Sequence, residues 1–176
     1  KVCVCIGRGI GGTMSEGSQR AEIKSCVQLQ EEYSVLIRDQ MQKRGVSVRK
    51  LVNEGVIRRS HRNRFFERIA EGSLPIAEFH AVSARLEIDP IRAAITVQCF
   101  SDPASYEDPC CETSVLVAIA MATHLPSELA ACEGTFETIR DELCNGIAKN
   151  TSSAIAKYHR KLEDRRNGGD FDFAYG

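Results

Sequence analysis

Ile57 to Gly72 reads IRRSHRNRFFERIAEG, a stretch that is both strongly basic and helical in its spacing. Phe65, Phe66, Ile69 and Ala70 fall at helical steps and would share one inward face. Asn63, Arg64, Glu67 and Arg68 are then left toward solvent, with Ser60 or Arg62 near the N-cap and Gly72 as the stop. Between Lys43 and Arg68 stand nine basic residues (Lys43, Arg44, Arg49, Lys50, Arg58, Arg59, Arg62, Arg64 and Arg68) against two acids, Glu54 and Glu67. The chain as a whole has a formal net charge of −1, so its positive charge is concentrated in this window. A local cationic field on an otherwise acidic protein calls for a polyanionic partner, of which nucleic acid is the commonest.

Working outward, Leu29, Tyr33, Leu36, Ile37 and Met41 predict a first helix that stops at Arg44-Gly45. Ser47 is an N-cap for a short second helix, Val48 to Asn53, with Leu51 and Val52 inward, Arg49 and Lys50 outward, and Gly55 reversing the chain. Beyond Gly72, Pro75 opens a fourth helix with Phe79, Val82, Ser83 and Leu86 inward. Asp89-Pro90 begins a fifth, with Ile91, Ala94, Ile95 and Val97 as its inner positions.

Gly45-Val46-Ser47 followed by Leu51-Val52, then Phe66-x-x-Ile69-x-Glu71-Gly72, then Pro75 and the run Leu86-Glu87-Ile88-Asp89-Pro90, together resemble the helix-turn-helix domain of the Cro/C1-type, XRE-like regulators of bacteria and phage. The resemblance covers roughly residues 33–95. It implies an all-α, five-helix DNA-binding domain whose second helix braces the third. The interval from Gly55 to Gly72 exceeds the family's usual length, so either the turn is enlarged or the third helix gains a turn at its front. Counting back from Phe66 and Ile69 puts the base-facing positions on Arg62, Asn63, Arg64 and Glu67 or Arg68; counting forward from the turn puts them on Arg58 and Arg59.

The residue types suit that task. Arginine can donate a bidentate pair to guanine O6 and N7, and asparagine does the same with adenine N6 and N7. Arg58, Arg59, Ser60, Arg62, Asn63, Arg64 and Arg68 are the expected contacts on the central stretch. Arg44, Arg49 and Lys50, with Lys43, flank it as expected phosphate neutralisers. His61, a lone histidine, is expected at the surface or in packing.

Asp102-Pro103 and Asp108-Pro109 mark a loop over 101–112. Thr113 to Leu125 is apolar on nearly every side and predicts a short helix buried in the domain or between subunits. From Pro126 a longer helix is expected, with Leu129, Cys132, Phe136, Ile139, Leu143 and Ile147 as a narrow seam. An interruption is expected at Asn150–Ser153, after which Ile155, Tyr158 and Leu162 continue the seam. Residues 113–166 therefore read as a homodimerisation or sensor region, which would set the spacing of two recognition helices on DNA.

At 176 residues the chain suits one domain, or a small DNA-binding unit joined to a second helical one. No apolar run approaches the roughly 20 residues of a membrane span, so no membrane partner is expected. Gly7-Arg8-Gly9-Ile10-Gly11-Gly12 matches G-x-G-x-x-G after a β-like run, yet no second strand with a ribose-binding acid follows, and a dinucleotide site needs both. Residues 1–28 read instead as a flexible leader, with 1–13 upstream of a natural start at Met14, and 167–176 as a disordered tail. The eight cysteines form no C-x-x-C pair and have no histidine at ligand spacing. They read as reduced thiols in a cytoplasmic protein, with Cys99, Cys132 and Cys144 buried as small hydrophobes. No nucleophile, base and orienting acid can be joined, so neither an enzyme nor a cofactor is expected. The competing function is a protein-interaction module, an adaptor or antitoxin, that keeps the scaffold and meets an acidic protein.

Overall fold

The computed structural model of the protein describes residues 24–100, 102–132 and 134–168, and among these it is all-α with no strand. Seven α-helices are present: α1 (Cys26–Lys43), α2 (Val48–Asn53), α3 (Phe65–Ala70), α4 (Ile76–Arg85), α5 (Pro90–Cys99), α6 (Pro109–Ala130) and α7 (Asp141–Gly168). Two 3-10 turns, Arg59–Arg64 and Pro103–Glu107, precede α3 and α6. The described residues 24–132 belong to one compact unit and 134–168 to another.

Local chemistry fixes most helix ends in the first unit. Ser25 and Gln28 form a reciprocal capping box at the start of α1, so the helix begins inside the segment expected as leader. Ser47 Oγ accepts from Lys50 N–H at 3.2 Å, and Asp89 Oδ1 accepts from Arg92 N–H at 2.7 Å, which caps α2 and α5. Gly45, Gly55 and Gly72 close the helices before them in the left-handed region, at φ of +61°, +73° and +67°. Residues 1–23 and 169–176, with the glycine motif, Met14 and most of the expected tail, lie outside the described residues.

The core brings Leu36, Ile37 and Met41 of α1 against Leu51, Phe65, Ile69, Val82, Leu86 and Val97. Phe65 and Leu36 are almost wholly enclosed. A Tyr33–Phe79 edge-to-face pair at 5.6 Å joins α1 to α4, and the Arg38 guanidinium lies 4.5 Å from the Phe66 ring centre. Arg85 holds Glu54 through two hydrogen bonds of 2.6 and 3.2 Å, tying α4 to the end of α2. That guanidinium holds the Glu54 carboxyl below its ordinary range.

Several expectations are corrected here. The inner face of α5 is Ala93, Thr96 and Val97; Ile91 and Ala94 are exposed, because the helix is rotated from the phase inferred from its Asp-Pro start. Residues 102–112 form the second 3-10 turn and the first turn of α6 instead of a loop. Tyr106 is buried there, and Asp89 N–H donates to its hydroxyl at 2.8 Å. Cys111 and Val115 are also buried, so the opening of α6 belongs to the first unit's core.

Beyond Val115, α6 leaves that core. Leu116, Ile119, Met121 and Leu125 are all exposed within the chain, contrary to burial inside the domain. Pro126 lies within α6 and does not start a new helix: its missing N–H loses one bond near the helix end, and the remaining ladder carries on to Ala130. In length and composition α6 could also cross a membrane, with a mean hydropathy of 1.2, which the shorter apolar run seen in the sequence does not convey. The seam expected from Leu129 to Ile147 is divided, because 135–140 have no regular structure before α7 begins. Within α7, Asn150–Ser153 do not interrupt the helix: Thr151 Oγ1 donates to the Ile147 carbonyl at 2.9 Å, so its hydroxyl is absorbed by the helix backbone. Cys99, Cys132 and Cys144 are exposed and Cys111 is buried.

Candidate nucleic-acid interface

The segment from Arg58 to Arg64 owes its geometry to a 3-10 turn. His61 N–H donates to the Arg58 carbonyl at 3.0 Å, an i to i+3 bond that sets three residues per turn. Side chains three apart then eclipse, so the stretch sorts into edges. Arg58, His61 and Arg64 share one edge, Arg59 and Arg62 a second, and Ser60 and Asn63 a third.

The first edge is occupied by the protein's own acids. His61 is buried, and its Nδ1 lies 2.8 Å from Oε2 of Glu78 on α4, itself buried. A carboxylate only accepts hydrogen bonds, so Nδ1 carries the proton. Arg58 Nε lies 3.3 Å from Glu78 Oε1. Arg64 donates from Nε to Glu67 at 2.6 Å and from Nη2 to Glu71 at 2.9 Å, and both contacts raise the affinity of its guanidinium for its proton. Arg64 is exposed, as expected, but its guanidinium lies along α3 and is already engaged by these two carboxylates.

The second edge is open. Arg59 and Arg62 are exposed and, among the described residues, have no acidic partner. Across from them lie Arg49, Val52 and Asn53, which occupy one side of α2 at helical spacing. These five residues line an open cleft of about 560 Å³ between α2 and the 3-10 turn. Lys50 is exposed beside it, and its charge helps to hold the Glu54 carboxyl low. Ser60 and Asn63, on the third edge, are exposed to solvent.

The remaining expected contacts divide in the same way. Arg44 donates to Glu87 at 2.6 Å, and Lys43 lies 2.7 Å from Asp39, so both flanking cations are internally neutralised. Arg68, expected in solvent, is half-buried with Nε enclosed and without a hydrogen-bond partner, because the short α3 turns that position toward the body of the unit. Glu78 and Asn53 were missed by sequence reasoning. The i to i+3 spacing of Arg59 and Arg62 was the available signal for a 3-10 edge; the distance of Glu78 along the chain left no local sign of its role.

Among the described residues no cluster of histidine, cysteine or acidic side chains could hold a metal ion. A smaller apolar cavity of about 220 Å³, lined by residues of α1, α4 and α5 including Tyr33 and Phe79, lies apart from the basic segment. Set against protein-family models, curated proteins and solved structures, the chain shows no match.

Proposed function

We propose that this protein is a sequence-specific, double-stranded DNA-binding regulator of bacterial or phage type, with α1 to α5 as a helix-turn-helix domain and residues 113–166 as its homodimerisation region. The observation that carries this reading is the set of cations left over after internal pairing. Among the described residues Arg49, Arg59 and Arg62 remain exposed without acidic partners on two consecutive elements, α2 and the 3-10 turn before α3, with the exposed Lys50 beside them. A solvated basic face with no ligand would repel itself, whereas a duplex offers phosphates that neutralise it and release condensed counterions. Asn63 and Ser60 supply neutral donors and acceptors on the adjoining edge, suited to base edges. The exposed apolar length of α6 supports a self-association surface.

The test is binding to mixed-sequence duplex DNA across a salt series, for the full chain and for a variant with Arg59, Arg62 and Arg64 changed to alanine. Affinity that falls steeply with salt, and a variant that loses both affinity and slope, supports the reading; selection of a preferred duplex then establishes specificity. Absence of binding at low salt overturns it.

The reading as an adaptor or antitoxin is favoured by one separate observation. Arg64 is committed to Glu67 and Glu71, which leaves α3 with few free readout groups. Capture of an acidic protein by the chain, with no response to duplex DNA, selects that alternative.

A further inference from the structure

We infer that the cleft formed by Arg49, Asn53, Arg59 and Arg62 is a phosphate-binding site, and that in the DNA reading, on which this inference rests for its source, it seats one phosphodiester group of the backbone. The site lies in the part of the chain that departs from the helix-turn-helix pattern, where the interval between Gly55 and α3 is filled by the extra 3-10 turn.

Three observations converge on it. First, the eclipsed geometry of the turn stacks Arg59 and Arg62 on one edge, and among the described residues neither guanidinium has an acidic neighbour. Two like charges held one above the other repel, and an oxyanion shared between them removes that repulsion. Second, α2 contributes a third cation, Arg49, and an amide, Asn53, from the opposite wall. Guanidinium forks match the planar pairs of phosphate oxygens, and an amide N–H can take an oxygen left over. Third, the turn is fixed before any ligand arrives, because His61, between Arg59 and Arg62 in sequence, is anchored inward on Glu78. A site held in shape by buried groups loses little entropy on binding.

Arg58 and Arg64 fall outside this site, since their guanidiniums already contact Glu78, Glu67 and Glu71. The cleft opens to solvent and holds more than a bare anion, so a sugar can accompany the phosphate on either side. A contact of this kind fixes the position of the protein on a duplex and reads no bases.

The experiment has two arms on the full chain. In the first, the thermal midpoint is followed with inorganic pyrophosphate against chloride at equal ionic strength, for the parent and for Arg49→Ala, Arg59→Ala, Arg62→Ala and Lys149→Ala. Arg59→Lys with Arg62→Lys keeps the charge and removes the fork. In the second, the same proteins bind two duplexes of unrelated sequence over a salt series. The expected result is stabilisation of the parent and of Lys149→Ala by pyrophosphate, lost in each arginine-to-alanine variant and reduced in the lysine pair. On DNA, each arginine-to-alanine change lowers the salt slope by about one and weakens both duplexes by the same factor.

The outcomes separate. Duplex binding whose salt slope is the same in every variant overturns the cleft site and leaves the DNA reading standing. Pyrophosphate stabilisation that depends on the three arginines, with no duplex binding, supports the phosphate site, assigns it to a free phosphate compound and overturns the DNA reading. No response to pyrophosphate, together with arginine-dependent binding of a polyglutamate peptide, overturns both.

Discussion

His61 Nδ1 and Glu78 Oε2 meet at 2.8 Å, with both side chains buried, and this pair fastens the basic 3-10 turn to α4. Removing the carboxylate strands a buried N–H donor, which costs about 1–3 kcal/mol. Glu78→Ala is therefore expected to lower stability by that amount, and His61→Ala together with Glu78→Ala to show a coupling of about 0.5–3 kcal/mol in a double-mutant cycle by urea unfolding. Arg58→Ala, at a largely exposed side chain, should do little. A coupling near zero would remove the pair as the fastening of the turn.

Alkaline stability should be governed by Tyr33 and Tyr106. Burial raises the phenol of Tyr33, and burial also raises that of Tyr106, partly offset by the Asp89 N–H that donates to it and by Arg92. The protonated phenol is the form the fold favours. Below pH about 10, the ordinary tyrosine value, both states hold their protons and this stability is fully present. As pH rises further the unfolded chain ionises first, and stability is lost through the raised folded values. Thermal midpoints measured from neutral pH upward should fall in that range, and Tyr106→Phe should flatten the fall. The same change strands the Asp89 N–H at a cost of about 1 kcal/mol at neutral pH. An unchanged alkaline limb in both Tyr33→Phe and Tyr106→Phe would contradict this assignment.

Two glycines can separate backbone strain from crowding. Gly45 and Gly72 both adopt positive φ, but a Cβ at Gly45 would meet open space, whereas one at Gly72 would collide with the Gln30 side-chain amide. Alanine in the left-handed region costs about 1–2 kcal/mol. Gly45→Ala should show that cost alone. Gly72→Ala should match it in a Gln30→Ala background and exceed it in the parent, as read by chemical unfolding. Equal effects in the parent would mean that Gln30 swings aside freely.

The exposed apolar surface of α6 predicts self-association. Sedimentation of the full chain should give a dimer, and Leu116→Glu and Leu125→Glu, at side chains 62% and 48% exposed, should give folded monomers with little change in thermal midpoint. A parent chain that sediments as a monomer, or that pellets with phosphatidylcholine vesicles through α6, would replace the dimer reading.

Short-range chemistry was legible before any coordinates. Ser47 and Gly55 bracket α2, and its bounds at Val48 and Asn53 follow from a cap and a left-handed residue that lie next to the helix in sequence. The pairing of charges was not legible in the same way. Arg58 and Arg62 look alike in the chain, yet one faces Glu78 on α4 while the other faces no acid among the described residues, a difference created by packing between distant segments. The second half misled for a related reason. Heptad-like spacing from Leu129 to Ile147 persists across a break at 135–140, because periodicity reports side-chain type and does not guarantee a continuous backbone. The phase of α5 was likewise set by tertiary contact, where Thr96 Oγ1 lies 3.1 Å from the buried Cys111 sulfur of α6.

With its 22 residues α6 is about 33 Å long at 1.5 Å per residue, and its buried side chains among the described residues, Cys111 and Val115, lie in its first two turns. Mechanically it is a cantilever. A tilt of a few degrees at the clamp, where Tyr106 and Arg92 stack at 4.8 Å, becomes a displacement of roughly 2 Å at the far end by the same rise. Small repacking beside α5 would thus be amplified along the arm, so the geometry at its tip answers to side chains in the core far more than to those at the tip itself.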